Sequence, residues 1–173
     1  MELASAQGFR VGLTMAALVI GFAARRQGDL DEAETQLREL VSWDGDGSPP
    51  LHLPMVLSEL GTLLSRRDRP AEARALHLRA YDTARILGNP RTTATALEGL
   101  AGLCDPGTAA RLLGAADAIR RATSTPLSPS DRHDVAAIAS AARAALGADA
   151  FAVLFKDGSA LTPKRPAPCS TDP

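Results

Sequence analysis

The residues able to do chemistry are few and scattered. The three histidines, His52, His77 and His133, show neither HxxxH nor HExxH spacing. A metal site needs several ligands converging on one point, so no metal and no cofactor is expected. Cys104 and Cys169 lie far apart and outside any CxxC pair. No disulfide framework is visible, and a reducing, cytoplasmic setting is the expectation. Cys104 follows Leu103 at the end of an apolar helix, with no histidine near it in sequence, and reads as a small core residue rather than a nucleophile. Asp29, Asp31, Glu32 and Glu34 crowd the start of a helix, where the dipole favours negative charge without any catalytic task. No convergent acid, base and nucleophile emerge, so no catalytic residue is assigned and the chain is not expected to be an enzyme.

The cations are equally plain. Arg25-Arg26 and Arg66-Arg67-Arg69 fall at equivalent turns and could form a basic edge, but cations at a helix C-terminus meet favourable carbonyl dipoles in any case. The formal net charge is −1, which argues against a general grip on nucleic acid. The longest apolar run, Val11 to Ala24, is too short to span a bilayer, so no membrane association is expected.

The chain has 173 residues, room for one domain. Alanine and leucine supply 57 of them, and only 3% of residues are aromatic. Such a composition favours helices over strands. Periodicity and stop signals divide the chain into about eight helices: 4–27, 29–43, 51–67, 70–87, 91–103, 106–123, 129–147 and 148–157. Asp29 with Glu32 is a capping-box pattern, and Asp105-Pro106 and Ser128-Pro129 read as further helix starts. A helical domain over 1–158 is expected, followed by a flexible Pro-rich tail at 159–173.

The helices repeat. Ile20-Gly21 and Leu60-Gly61 are 40 residues apart, and each glycine is followed 12 residues later by alanine, Ala33 or Ala73. A third pair carries Glu98-Gly99, 38 residues after Gly61, with Ala109 and Ala110 in its second helix. Two antiparallel helices approach closely only where a side chain is nearly absent, so these small residues mark expected contacts. Stacked hairpins then share one core that none could bury alone.

This pattern resembles the tetratricopeptide repeat. Ala17, Ile20, Gly21, Ala24, Gly28 and Ala33 stand at its positions in one repeat; Leu57, Leu60, Gly61, Leu64, Asp68 and Ala73 do so in the next. Ala and Leu replace the usual aromatics, and His77 occupies a place normally large and apolar, where it is expected to pack between hairpins. The period is 40 rather than about 34. The resemblance implies an all-α, right-handed array of helical hairpins with C-terminal capping helices. Ala110 to Ile119, Asp134 to Gly147 and Ala150-Phe151 also look like the C-terminal ends of actinobacterial SARP-type and LuxR-type regulators. Neither a GxxxxGK[ST] loop nor a helix-turn-helix after Thr162 is present, so ATPase activity and DNA binding are not implied.

By this resemblance the first helix of each pair lines an inner face. The residues placed there are Met15, Leu18, Val19 and Phe22; Met55, Ser58, Glu59 and Thr62; and Thr93, Ala96, Leu97 and Leu100. Of these, Met15, Leu18, Val19, Phe22, Met55, Glu59, Leu97 and Leu100 are the candidate partner-binding residues. The expected occupant is a protein or peptide segment bound by apolar burial, as a scaffold in transcriptional or biosynthetic regulation. The alternative occupant is a small apolar effector in an enclosed cavity of Met, Leu and Phe. The same face could instead be covered by the chain's own last helices or by a second copy in a homodimer.

Overall fold

The computed structural model describes residues 28–42 and 50–160, together with Val19. The described residues form seven helices and no strands: α1 (Leu30–Ser42), α2 (Leu53–Arg66), α3 (Pro70–Ile86), α4 (Pro90–Ala101), α5 (Pro106–Thr123), α6 (Pro129–Leu146) and α7 (Ala148–Ala160). The helix expected at 4–27, Gly21 and the tail after residue 160 lie outside the described residues.

The helix starts follow local chemistry. The Glu32 backbone N–H donates to Asp29 at 3.2 Å. Asn89, Asp105 and Ser128 accept from the N–H groups of Thr92, Thr108 and Asp131, and in each case proline opens the helix. These side chains satisfy amide donors that the first helical turn leaves without partners. Gly28 and Asp68 precede α1 and α3 at equivalent places, and both have left-handed backbone, with φ of +85° and +57°. Glycine suits that conformation, and aspartate is among the few other residues that enter it.

Consecutive helices pack as neighbours, and α2 also touches α4. Two apolar clusters result. Ala33, Leu37, Leu40, Val56, Leu60 and Leu64 join α1 to the α2–α3 hairpin. Leu57, Tyr81, Leu97, Leu100, Leu113 and Phe151 belong to the second, which runs on to α7. Leucine burial at this scale contributes about 2 kcal/mol per side chain.

Glycines set the spacing at two crossings. Gly61 was expected to meet Ala73 of its own hairpin. Its nearest neighbours are instead ring atoms of His77, which would lie 2.8 to 2.9 Å from a Cβ at position 61. A Cβ at Gly99 would overlap the same ring. The imidazole therefore fills a slot between α2 and α4, and lies between hairpins as the sequence implies. At the other crossing, a Cβ at Gly114 would overlap the Phe155 carbonyl, and one at Gly158 would overlap the Arg111 carbonyl. There α5 and α7 meet backbone to backbone, and the Ser159 hydroxyl donates to the Gly114 carbonyl at 3.1 Å.

The arginines at the α2–α3 turn are engaged within the chain. Arg67 pairs with Glu34 at 3.0 Å and with Asp31, while Arg69 pairs with Glu34 at 2.8 Å and with Glu72. Burial pushes the Glu34 carboxyl up, but bonds from Arg38 and Arg69 outweigh it and hold it below the usual carboxylate range. The acidic cluster at the start of α1 and the basic turn thus clasp each other.

Candidate functional site

The inner face of the stack is not open over α2 and α4. Helix α6 crosses above it and leaves a cavity of about 250 Å³. Glu59, Thr62, Ser65 and Arg66 reach it from α2, His77 from α3, and Thr95, Glu98 and Gly99 from α4, with Gly102 just beyond. Asp131, Asp134, Val135, Ala137 and Ile138 close it from α6.

The sequence explains this roof. Asp131, Asp134, Val135 and Ile138 recur at three- and four-residue steps, so they share one helical face. Alanine is the commonest residue of α6, Val135, Ile138, Ala139 and Leu146 pack partly buried against the core, and among its described side chains only Ala142 is fully buried. One ion pair ties it to α2: Arg66 donates to both Asp134 oxygens at 3.1 and 3.0 Å. The pair is half exposed and contributes at most about 1 kcal/mol.

The cavity floor is better fixed. Glu98 takes two bonds from Arg120, at 2.6 and 2.7 Å, and both side chains are 7% exposed. Arg120 also donates to the Thr95 hydroxyl at 3.0 Å and the Thr125 carbonyl at 3.1 Å. Burial pushes the Glu98 carboxyl above its ordinary value, and the Arg120 guanidinium offsets only part of that rise. Beside it, the His77 ring is 1% exposed and its Nδ1 has no hydrogen-bond partner among the described residues. Burial lowers its pKa from 6.5 to about 4, so it is neutral at physiological pH.

The candidate residues are distributed unevenly. Glu59 and Thr62 line the cavity. Met55 is half-buried against the α1–α2 cluster, Ser58 is buried, and Val19 is 61% exposed. Leu97 and Leu100 are each 2% exposed and belong to the core, as do Thr93 and Ala96 among buried residues. They do not present a surface to a partner in this structure. Helix α4 is turned so that its leucines enter the stack and Thr95, Glu98 and Gly102 face the cavity. Apolar burial decides that rotation. Met15, Leu18 and Phe22 lie outside the described residues. The wall is mixed and acidic, not the Met, Leu and Phe lining expected for an apolar effector.

Glu98, Arg120, Asp131 and Asp134 were not foreseen as a group. A glutamate interrupting the apolar α4 and the spacing along α6 were the available signals. Among the described residues no group of three His, Cys, Asp or Glu side chains could hold a metal ion. His52 is half-buried and His133 exposed. Cys104 is disulfide-bonded, which corrects the expectation of an unpaired core thiol. No described helix is long and apolar enough to cross a membrane.

Residues 55–90 match the family model of the tetratricopeptide repeat. No curated protein and no solved structure matches the chain. The matched segment holds most of α2, all of α3 and the first residue of α4, together with Gly61 and His77. That segment is similar to a tetratricopeptide repeat, and the chain is an all-α, TPR-like helical array.

Proposed function

We propose that the chain is a non-catalytic protein-interaction module that acts in regulation, receiving a helical or extended partner segment on the inner face of its hairpin stack. One observation carries this reading: a helix of the chain itself, α6, already lies over that face, with Val135 and Ile138 only partly buried there. Ala142 is its one buried side chain among those described, and the Arg66–Asp134 pair is half exposed. A surface that accepts one alanine-rich helix can accept a partner's helix beside it or in its place. Tetratricopeptide repeats generally bind proteins, and the match over residues 55–90 supports the same role here. The regulatory setting is inferred from the likeness of the C-terminal helices to the ends of SARP-type and LuxR-type regulators.

The proposed contact residues are Glu59 and Thr62, with Met55 at the edge and Val19, Met15, Leu18 and Phe22 extending the face. Affinity capture from the host tests this with folded variants. Glu59→Arg with Thr62→Arg should lose the partner, and Asp134→Arg, which repels Arg66 and loosens α6, should recover more of it. Identical recovery by wild type and both variants would reject the inner face as the docking surface.

A further inference from the structure

The acidic groups around the cavity under α6 are engaged within the chain. The Glu98 carboxyl accepts two bonds from Arg120 at 2.6 and 2.7 Å. Asp134 accepts from Arg66 through both oxygens, and Asp131 accepts from the Ser128 hydroxyl at 2.7 Å. Glu59 also has an interaction within the chain. An ion entering the cavity would leave water and then compete with these partners. A neutral molecule leaves them all in place.

The α2 wall still offers hydrogen bonds of both kinds. The Thr62 hydroxyl donates to the Ser58 carbonyl at 3.0 Å, so its oxygen is left as an acceptor. Arg66 holds Asp134 through a single terminal nitrogen, and a guanidinium has N–H donors on all three. Thr62 and Arg66 both line the cavity, one turn apart on one helical face, so an acceptor and a donor lie side by side. A ligand hydroxyl answers both, giving its proton to Thr62 and taking one from Arg66. An ammonium group can only donate, and an ether can only accept. Opposite this wall the lining is apolar, with Val135 and Ile138 above. The volume of about 250 Å³ suits one aromatic ring, since an apolar cavity of roughly 150 Å³ already admits benzene. It falls below the usual range for drug-sized ligands.

We infer that this cavity binds a small neutral hydroxylated aromatic molecule of the phenol class, its hydroxyl between Thr62 and Arg66 and its ring under Val135 and Ile138. The ligand bridges α2 to α6, and the inference does not depend on protein docking.

The test uses the full chain and four probes built on one ring: phenol, its methyl ether anisole, anionic benzoate and cationic benzylammonium. Titrations are followed by NMR. Phenol should give saturable shifts at Gly99, Gly102 and Ile138, with nuclear Overhauser contacts from its ring protons to the methyl groups of Val135 and Ile138. Anisole, which keeps the ring and loses the donor, should bind about tenfold more weakly or worse, and both ions should bind no better than anisole. Thr62→Val keeps the shape of the side chain and removes the acceptor. It should weaken phenol binding about tenfold, the scale of 1.4 kcal/mol, and leave anisole unchanged. Absence of saturable phenol shifts, Overhauser contacts that map elsewhere, or equal affinity for anisole would overturn the assignment. Tighter binding of either ion than of phenol would do the same, as would unchanged phenol binding by folded Thr62→Val protein. The contacts on the wild-type chain stand as a test even if that variant fails to fold. None of these measurements involves a protein partner, so the docking proposal is judged separately.

Discussion

Helices approach closely at two places in this molecule, and glycines permit both, but different groups fill the space. Between α2 and α4, Gly61 and Gly99 make room for the imidazole of His77, delivered from α3. Between α5 and α7, Gly114 and Gly158 make room for carbonyls of the opposing backbone. A side chain can be exchanged for another. A backbone yields only if its whole helix moves. The first contact is therefore adjustable and lies beside the cavity, whereas the second is fixed and locks α7 onto the stack.

The largest test of that difference is at the fixed crossing. Gly158→Val should cost about 3 kcal/mol or more, read by urea unfolding, because valine must push α7 off α5. Trimming neighbouring side chains should not restore it. Wild-type stability would show that the helices are free to separate. At the adjustable crossing, Gly99→Ala should cost about 2 kcal/mol, and adding His77→Ala should recover part of the loss. A double-mutant cycle with no coupling would mean that the ring does not govern the spacing.

Acid should weaken the same crossing. Burial keeps folded His77 neutral down to about pH 4, whereas the unfolded chain protonates it near 6.5. Between those values the unfolded state binds more protons, so stability falls with falling pH and is fully present above 6.5. The loss attributable to His77 from pH 6.5 to about pH 5 should be ~2 kcal/mol, and His77→Gln should remove it. An identical pH profile for that variant would refute the assignment. The smallest effect belongs to the roof: Arg66→Ala should cost below about 1 kcal/mol in global stability while speeding amide exchange in α6. A larger global loss would make α6 part of the core.

Much of this arrangement is legible in the residues. The Gly61 and Gly99 spacing, the capping of α1, α5 and α6, and the odd histidine at position 77 all lie within reach of local pattern. The rotation of α4 does not. Position-by-position analogy with Glu59 and Thr62 puts Leu97 and Leu100 on the inner face, but leucines bury wherever the stack offers core, and the helix turns to let them. The Glu98–Arg120 pair joins residues on two helices, and only tertiary packing shows that they meet. The acidic cavity needed three helices and a roof, and α6 carries its half of the wall as a four-residue stripe that means little until the floor is known.

His77 can be regarded as a shim. The thickness of the ring fixes the gap between two neighbouring inner rods, and that gap sets how sharply the array bends. A series of residues of graded size at this single position would yield a graded series of curvatures, with the hairpins themselves unaltered.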